Sequence, residues 1–309
     1  MPLHPQVKKV LEQMAAAGPP LHHLPPAEAR KAIEAMRATA GEPERVAKVE
    51  NRTFRSPAGN LPVRIYTPDG RRPFPMLVYF HGGGWVVGSI ETVDASCRSL
   101  ANLTGCIVVS ADYRLAPEHK FPAAADDCYA ATRWAALHAA SFHGDPARMA
   151  VGGESAGANL AAVVALMAQE RGSTPLVLQL LLYPVLDYSF DRPSHKENGE
   201  GYFLTNDMMR WFWRQYLNSD TDGESHLASP VRAKYLQGVA PAAIFTAEFD
   251  PLRDEGAAYA AKLREAGVPV QYKCCEGLIH GFMGMAKVVE PAKKALEDAA
   301  AALRAAFAR

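Results

Sequence analysis

Six segments constrain this chain more than anything else in it: Met76–Phe80, Cys106–Ala111, Met149–Val151, Leu176–Leu182, Ala242–Thr246 and Val270–Cys274. Together they read as apolar runs without regular alternation, the pattern of strands covered on both faces. Between most of them lie stretches with helical spacing, near 92–104, 122–140, 156–171, 253–266 and 289–307. Strand followed by helix, repeated, builds a parallel sheet with helices on both sides. Ahead of these, Val46–Phe54 and Leu61–Tyr66 flank Pro57-Ala58-Gly59-Asn60, which predicts an antiparallel hairpin at one edge. The expected fold class is α/β, with a mostly parallel central sheet.

Two regions fall outside that rhythm. Val7, Val10, Leu11 and Met14, then Ala29, Ala32, Ile33 and Met36, repeat at helical spacing before any strand. These two amphipathic helices predict either a lid over a site or a decoration of the core. The second region lies between the strand ending near Pro184 and the one starting at Ala242. It holds a polar loop, Asp187–Gly201, and a helix at 207–217 with Met208, Met209, Trp211, Phe212, Trp213 and Tyr216 on more than one face. A helix of that kind buries two sides, so it is either a second lid element or simply the packing of the insertion. The length of 309 residues suits one α/β domain with such an insertion.

Composition narrows the partners. Thirty-three basic and thirty-three acidic side chains balance, which gives no electrostatic footing for nucleic acid or an anionic membrane. The longest apolar run, Leu160 to Ala168, is too short to span a bilayer. Lys8, Lys9, Glu12 and Gln13 in the first helical pattern do not make a secretory leader. The five cysteines lack metal-ligand spacing, and the adjacent Cys274 and Cys275 of a strand point to opposite faces, as reduced packing residues do. A cytoplasmic setting is expected.

Chemistry is expected beyond the carboxyl ends of the strands. The segment Val151-Gly152-Gly153-Glu154-Ser155-Ala156-Gly157 is a strand, a Gly-x-Ser-x-Gly turn and then a helix, a form that can hold a serine hydroxyl out over a sheet. The pentapeptide alone would arise about 0.1 times by chance in such a chain, so its weight depends on what accompanies it. The first apolar strand runs into His81-Gly82-Gly83-Gly84-Trp85, a loop able to offer backbone N–H groups to an oxyanion, or else a flexible turn. The strand at 242–246 leads to Asp250, and the strand at 270–274 to His280. Ser155, Asp250 and His280 follow the chain order of a hydrolase triad, in which imidazole activates the hydroxyl and a carboxylate orients the ring. Asp254 and Glu255 are rival carboxylates, and Asp250 is preferred for its place nearest the strand end. The other histidines singled out, His4, His22, His23, His138, His143, His195 and His226, lie in helical or polar stretches and are expected to be solvated.

On these residues the sequence resembles the bacterial hormone-sensitive-lipase family of esterases, over nearly its whole length. The resemblance rests on His81-Gly-Gly-Gly-Trp85, Asp112-Tyr-Arg-Leu-Ala-Pro-Glu-His119, Gly153-Glu-Ser-Ala-Gly157, Asp250-Pro-Leu-Arg-Asp-Glu-Gly256 and His280-Gly-Phe282. It implies an α/β-hydrolase fold. Residues 1–45 would form the N-terminal helical part of a cap, 46–309 the catalytic domain, and 187–230 an inserted second part of the cap. It implies Ser155 as nucleophile, His280 as base and Asp250 as orienting acid, with oxyanion donors from the backbones of Gly83, Gly84 and Ala156. It also implies that His81 and the Asp112–His119 segment, through an Arg114–Glu118 ion pair, support the glycine loop. Two letters depart from the common pattern: Glu154 stands where aspartate is usual, and Ala158 where a further glycine is common.

The expected activity is hydrolysis of carboxylic esters with short to medium acyl chains, through an acyl-enzyme and with no metal or cofactor. The acyl pocket is expected between the glycine loop, Trp85 and the 207–217 helix, with Met208, Met209 and Phe212 as lining residues. The expected partner is a small-molecule ester, and the sequence sets no oligomeric state. The rival readings are a protein of the same fold that binds small molecules without turnover, and an amidase or peptidase using the same triad.

Overall fold

The computed structural model describes residues 2–16, 18–37 and 43–309. Eight strands form a single sheet: β1 (Lys48–Ser56), β2 (Gly59–Thr67), β3 (Phe74–Phe80), β4 (Ile107–Ala111), β5 (Gly144–Glu154), β6 (Leu178–Leu182), β7 (Ala242–Phe249) and β8 (Val270–Ile279). Their order is β1-β2-β4-β3-β5-β6-β7-β8. The β1–β2 and β2–β4 pairs are antiparallel, and every later pair is parallel. The edge hairpin and the parallel sheet are those the apolar runs predict.

The helices are α1 (Pro5–Ala16), α2 (Pro26–Arg37), α3 (Asp94–Thr104), α4 (Ala123–His138), α5 (Ala156–Glu170), α6 (Pro193–Asn198), α7 (Asn206–Tyr216), α8 (Asp220–Gly223), α9 (Arg253–Glu265) and α10 (Glu290–Phe307). The central strands β3, β4 and β6 are almost wholly apolar and buried because both faces are covered. Along β3, Met76, Val78 and Phe80 enter one buried cluster with α4 and α5, while Leu77 and Tyr79 enter another with α3 and α10. Alternate side chains of a strand point to opposite faces, so unbroken hydrophobicity is what two covers require.

The N-terminal segment divides between those faces. Val7 of α1 is buried with Leu278 and Ile279 of β8, and the His4 amide donates to the Gly277 carbonyl at 3.1 Å. Ala29 of α2 is buried in the opposite cluster, with Leu21, Leu24 and Ile33 packed on it. The side chain of Met36 lies outside the described residues. The segment read as a polar loop, Asp187–Gly201, contains a short helix, α6, opened by Pro193 at a position where the missing N–H costs nothing.

Strands β7 and β8 run past the carboxyl ends of their apolar letters, and both extensions matter. Strand β7 continues to Phe249 and β8 to Ile279. Their register shifts between Ala247–Cys275 and Phe249–Ile279, so β8 carries extra residues there. Gly277, at φ 70°, absorbs the irregularity. As a result Asp250 and His280 each come one residue after a strand. Ser155 after β5 and His81 after β3 do the same.

Candidate active site

The serine turn is held by its small neighbours. Ser155 has φ 55° and ψ −120°, a conformation that L-residues rarely adopt. Its N–H donates to the Leu182 carbonyl at 2.9 Å, and its carbonyl accepts from Asn159 N at 3.0 Å. A Cβ at Gly157 would sit 2.0 Å from the Phe80 carbonyl oxygen, and one at Gly153 would sit 2.5 Å from the Gly157 backbone. Helix α5 can therefore approach β3 only through glycines. Gly157→Ala is expected to cost at least about 2 kcal/mol of stability, read as a lower midpoint in denaturant unfolding, because backbone on both sides cannot give way.

The three chemistry-bearing side chains form one line. His280 Nε2 lies 2.8 Å from Ser155 Oγ, and His280 Nδ1 lies 2.8 Å from Asp250 Oδ2. Asp250 has no exposed surface, and His280 is buried. The second carboxylate oxygen of Asp250 accepts from Leu252 N at 2.9 Å, which fixes the plane of the group. The rivals point elsewhere: Asp254 accepts from Ser194 N at 2.9 Å, and Glu255 from Leu186 N at 2.6 Å and Asp187 N at 3.0 Å.

Beside the serine stands the glycine loop. Gly83 and Gly84 have φ 111° and 58°, and the Gly83 carbonyl accepts from Val86 N and Val87 N in a tight turn. A Cβ at Gly83 would collide with the Val87 carbonyl at 2.2 Å, and one at Gly84 with the Phe212 ring at 2.1 Å. Ala156 begins α5, so its N–H belongs to the first turn, which has no acceptor within the helix.

Below the loop, His81 is fully buried and stacked on Tyr113 at 4.2 Å, with Nδ1 2.7 Å from the Gly82 carbonyl. Burial pushes its pKa down, which suits a neutral ring with its proton on Nδ1. The Tyr113 hydroxyl donates to the His81 carbonyl at 2.8 Å.

The Arg114–Glu118 ion pair does not form. Arg114 turns to the buried Asp127 of α4, with hydrogen bonds of 2.7 and 3.0 Å. Glu118 instead binds Arg30 of α2, which pulls its carboxyl down to about 2. Spacing along the chain favours the nearer partner, whereas the fold brings each group a partner from another helix. Arg30 also donates to the carbonyls of Val86 and Ala116 at 2.7 and 2.8 Å, so α2 is clamped to the end of the glycine loop.

Phe212 lies over Gly84, with Met208 and Met209 buried in the same cluster. Trp85 is placed differently from the expected pocket wall. It has no exposed surface and stacks on Tyr216 of α7, centroids 4.2 Å apart and planes within 4°, so it joins the glycine loop to α7 from behind. His195, expected to be solvated, is buried: its Nδ1 lies 2.7 Å from Asn206 Oδ1 and its Nε2 3.2 Å from Glu255 Oε1. The Glu255 pair raises the His195 pKa against the opposing effect of burial. Ser194 Oγ donates to the Pro251 carbonyl at 2.6 Å, and Asn198 reaches the Glu248 carbonyl at 3.2 Å. Sequence reasoning missed this brace of α6 on the Asp250 loop. The one available signal was the row of short polar residues from Ser194 to Asn198.

Among the described residues, no group of three or more His, Cys, Asp or Glu side chains is placed to hold a metal ion. No helix there is long and apolar enough to cross a membrane. All five cysteines are free thiols.

Comparison with known proteins places this arrangement. Residues 77–284 match the family model described as the alpha/beta hydrolase fold. The chain is 45% identical over 260 residues to carboxylic ester hydrolase LipN of Mycobacterium tuberculosis, covering 82% of this chain and 69% of that protein. It is 38% identical to an ethyl acetate hydrolase of Pseudomonas putida over 308 residues, 96% of each. Among solved structures, an ester hydrolase from the metagenome of Lake Arreo, complexed with a bipyridine phosphonate derivative, superposes with a TM-score of 0.95. That pair shares 44% identity, covering 99% of this chain and 100% of the other. The chain belongs to the alpha/beta hydrolase family, among its hormone-sensitive-lipase-type carboxylesterases.

Proposed function

We propose that this protein hydrolyses carboxylic esters, with Ser155 as nucleophile, His280 as general base and then general acid, and Asp250 as the group that orients the ring. The observation that carries the reading is the unbroken line from Ser155 Oγ through His280 to Asp250, with 2.8 Å at both links. His280 Nδ1–H donates to Asp250, which leaves Nε2 free to accept the serine proton. The Oγ attacks the ester carbonyl, and the oxyanion is received by the N–H groups of Gly83, Gly84 and Ala156. Each such donor supplies roughly 2.7–4 kcal/mol of transition-state stabilisation. His280 returns the proton to the departing alcohol. Water, deprotonated in turn by His280, then releases the acid and restores Ser155.

A short to medium acyl chain is favoured by Phe212 lying over Gly84, with Met208 and Met209 buried in the same cluster, and by the name of the ethyl acetate hydrolase relative. The cap is read as residues 1–45 with 187–230. Support comes from the Arg30 clamp and from the turn Leu21–His23, which lies against α7. Five free cysteines favour a reducing, cytoplasmic setting.

The test is a p-nitrophenyl ester series combined with fluorophosphonate labelling and mapping of the modified residue. Label on Ser155 and highest kcat/KM on butanoyl or hexanoyl esters is the expected result. Faster turnover of long triacylglycerols overturns the chain-length reading, and label elsewhere overturns the nucleophile. The kcat/KM is also expected to rise with pH as His280 loses its proton, because only the neutral ring can act as base. A flat profile between about pH 5 and 9 would contradict that role.

A further inference from the structure

Glu154 is a carboxylate at the end of β5 whose neighbours on its own face are apolar. Alternation puts it on the side of Ala150, in the cluster with Leu77 and Tyr79. Placing a carboxylate there is unfavourable unless donors compensate it, and burial raises its pKa. Donors are present. Tyr79 and Tyr183 both donate to Glu154 Oε2, at 3.3 and 3.1 Å, and the Gly82 amide also favours the ionised form.

Each of these neighbours belongs to a different part of the site. Gly82 opens the oxyanion loop: a Cβ added there would lie 3.3 Å from Glu154 Cγ and 3.1 Å from its carbonyl oxygen. Tyr183, held at φ 38° just after β6, packs edge-on against the His280 ring with centroids 4.9 Å apart. The backbone of Glu154 runs directly into Ser155. One side chain therefore touches the loop, reaches the base through a tyrosine, and adjoins the nucleophile.

We propose that Glu154 is a positioning residue that keeps the glycine loop and the His280 ring in register with Ser155 and lends its negative charge to the imidazolium formed during turnover. The proposal rests on the serine-esterase reading. The charged and titratable groups facing the pair come from every packed element. Asp250 lies on the far side of the His280 ring, Tyr79 comes from β3, Tyr183 from the end of β6, and Cys97 from α3. Burial pushes both tyrosines and the thiol well up, so none of these three brings a charge to the group.

Three variants test it: Glu154→Gln removes the charge at constant shape, Glu154→Asp keeps the charge and shortens the reach, and Tyr183→Phe removes the link. For Glu154→Gln, kcat per phosphonate-labelled site is expected to fall about tenfold with KM little changed. The rise of kcat/KM is expected to move to lower pH, because a nearby anion favours the protonated ring. Glu154→Asp should retain the wild-type position of that rise while losing part of kcat, and Tyr183→Phe should lower kcat with the rise in place. Unchanged kcat and pH profile in Glu154→Gln, with or without a loss of thermal stability, overturns the proposal. If that variant does not fold, wild-type kcat in both other variants overturns it. Failure of the wild type to label at Ser155 would instead sink the underlying esterase reading, so the two failures are distinct.

Discussion

Ser155→Ala is expected to lower kcat/KM on p-nitrophenyl butanoate by about 10⁵–10⁶-fold, with KM nearly unchanged and the fold intact. The loss is large because no neighbouring group can replace the hydroxyl. His280 Nε2, 2.8 Å away, would face a methyl group and could at best activate a distant water. Residual turnover above the uncatalysed rate, about 10³–10⁴-fold, would come from substrate placement and the oxyanion donors, which the substitution leaves alone. Stability is a separate matter. The serine side chain makes no capping hydrogen bond to α5, so α5 loses no cap with it. Alanine has the same Cβ and meets no new contact, so the unfolding free energy should change by no more than about 0.5 kcal/mol. Undiminished turnover in a folded Ser155→Ala protein, or a rate loss matched by unfolding, would sink the nucleophile assignment.

The sheet was legible because burial on both faces writes an apolar run into each central strand. Extra residues in β8 were not. They depend on how Phe249 pairs with Ile279 and on how the His4 amide meets Gly277, neither of which local spacing encodes. The same distinction separates the site residues. Ser155 announces itself through Gly153 and Gly157, because α5 cannot approach β3 without them. Asp250 and His280 were recognisable by their place after strands. By contrast, the partners of Arg114, Glu118 and His195 are set by helices brought together from 13, 88 and 60 residues away. Glu154 stood out in the sequence only as an unusual letter before Ser155. Its grip on Tyr79 and Tyr183 comes from β3 and the end of β6, which flank β5 in the sheet.

Asp250→Asn is expected to reduce kcat by about 10⁴-fold near neutral pH, and it decides among the three carboxylates that follow β7. The substitution preserves size, and one oxygen remains to accept from Leu252 N, as Asp250 Oδ1 does at 2.9 Å. The amide nitrogen then faces His280 Nδ1 at the place of Oδ2, where it can only donate. Nδ1 must become the acceptor, so the ring proton moves to Nε2 and points at Ser155. A base already carrying its proton there cannot take another from the hydroxyl. Asp254→Asn should stay within a few-fold of wild type, because Asp254 bonds to Ser194 N and pairs with Arg253, away from the ring. Glu255→Gln should act chiefly on stability by weakening the buried His195 contact and the bonds from Leu186 and Asp187. Kinetics normalised to phosphonate-labelled sites separate these effects from partial unfolding. A 10⁴-fold loss in folded Asp254→Asn, together with near-normal turnover in Asp250→Asn, would move the orienting role to the other carboxylate.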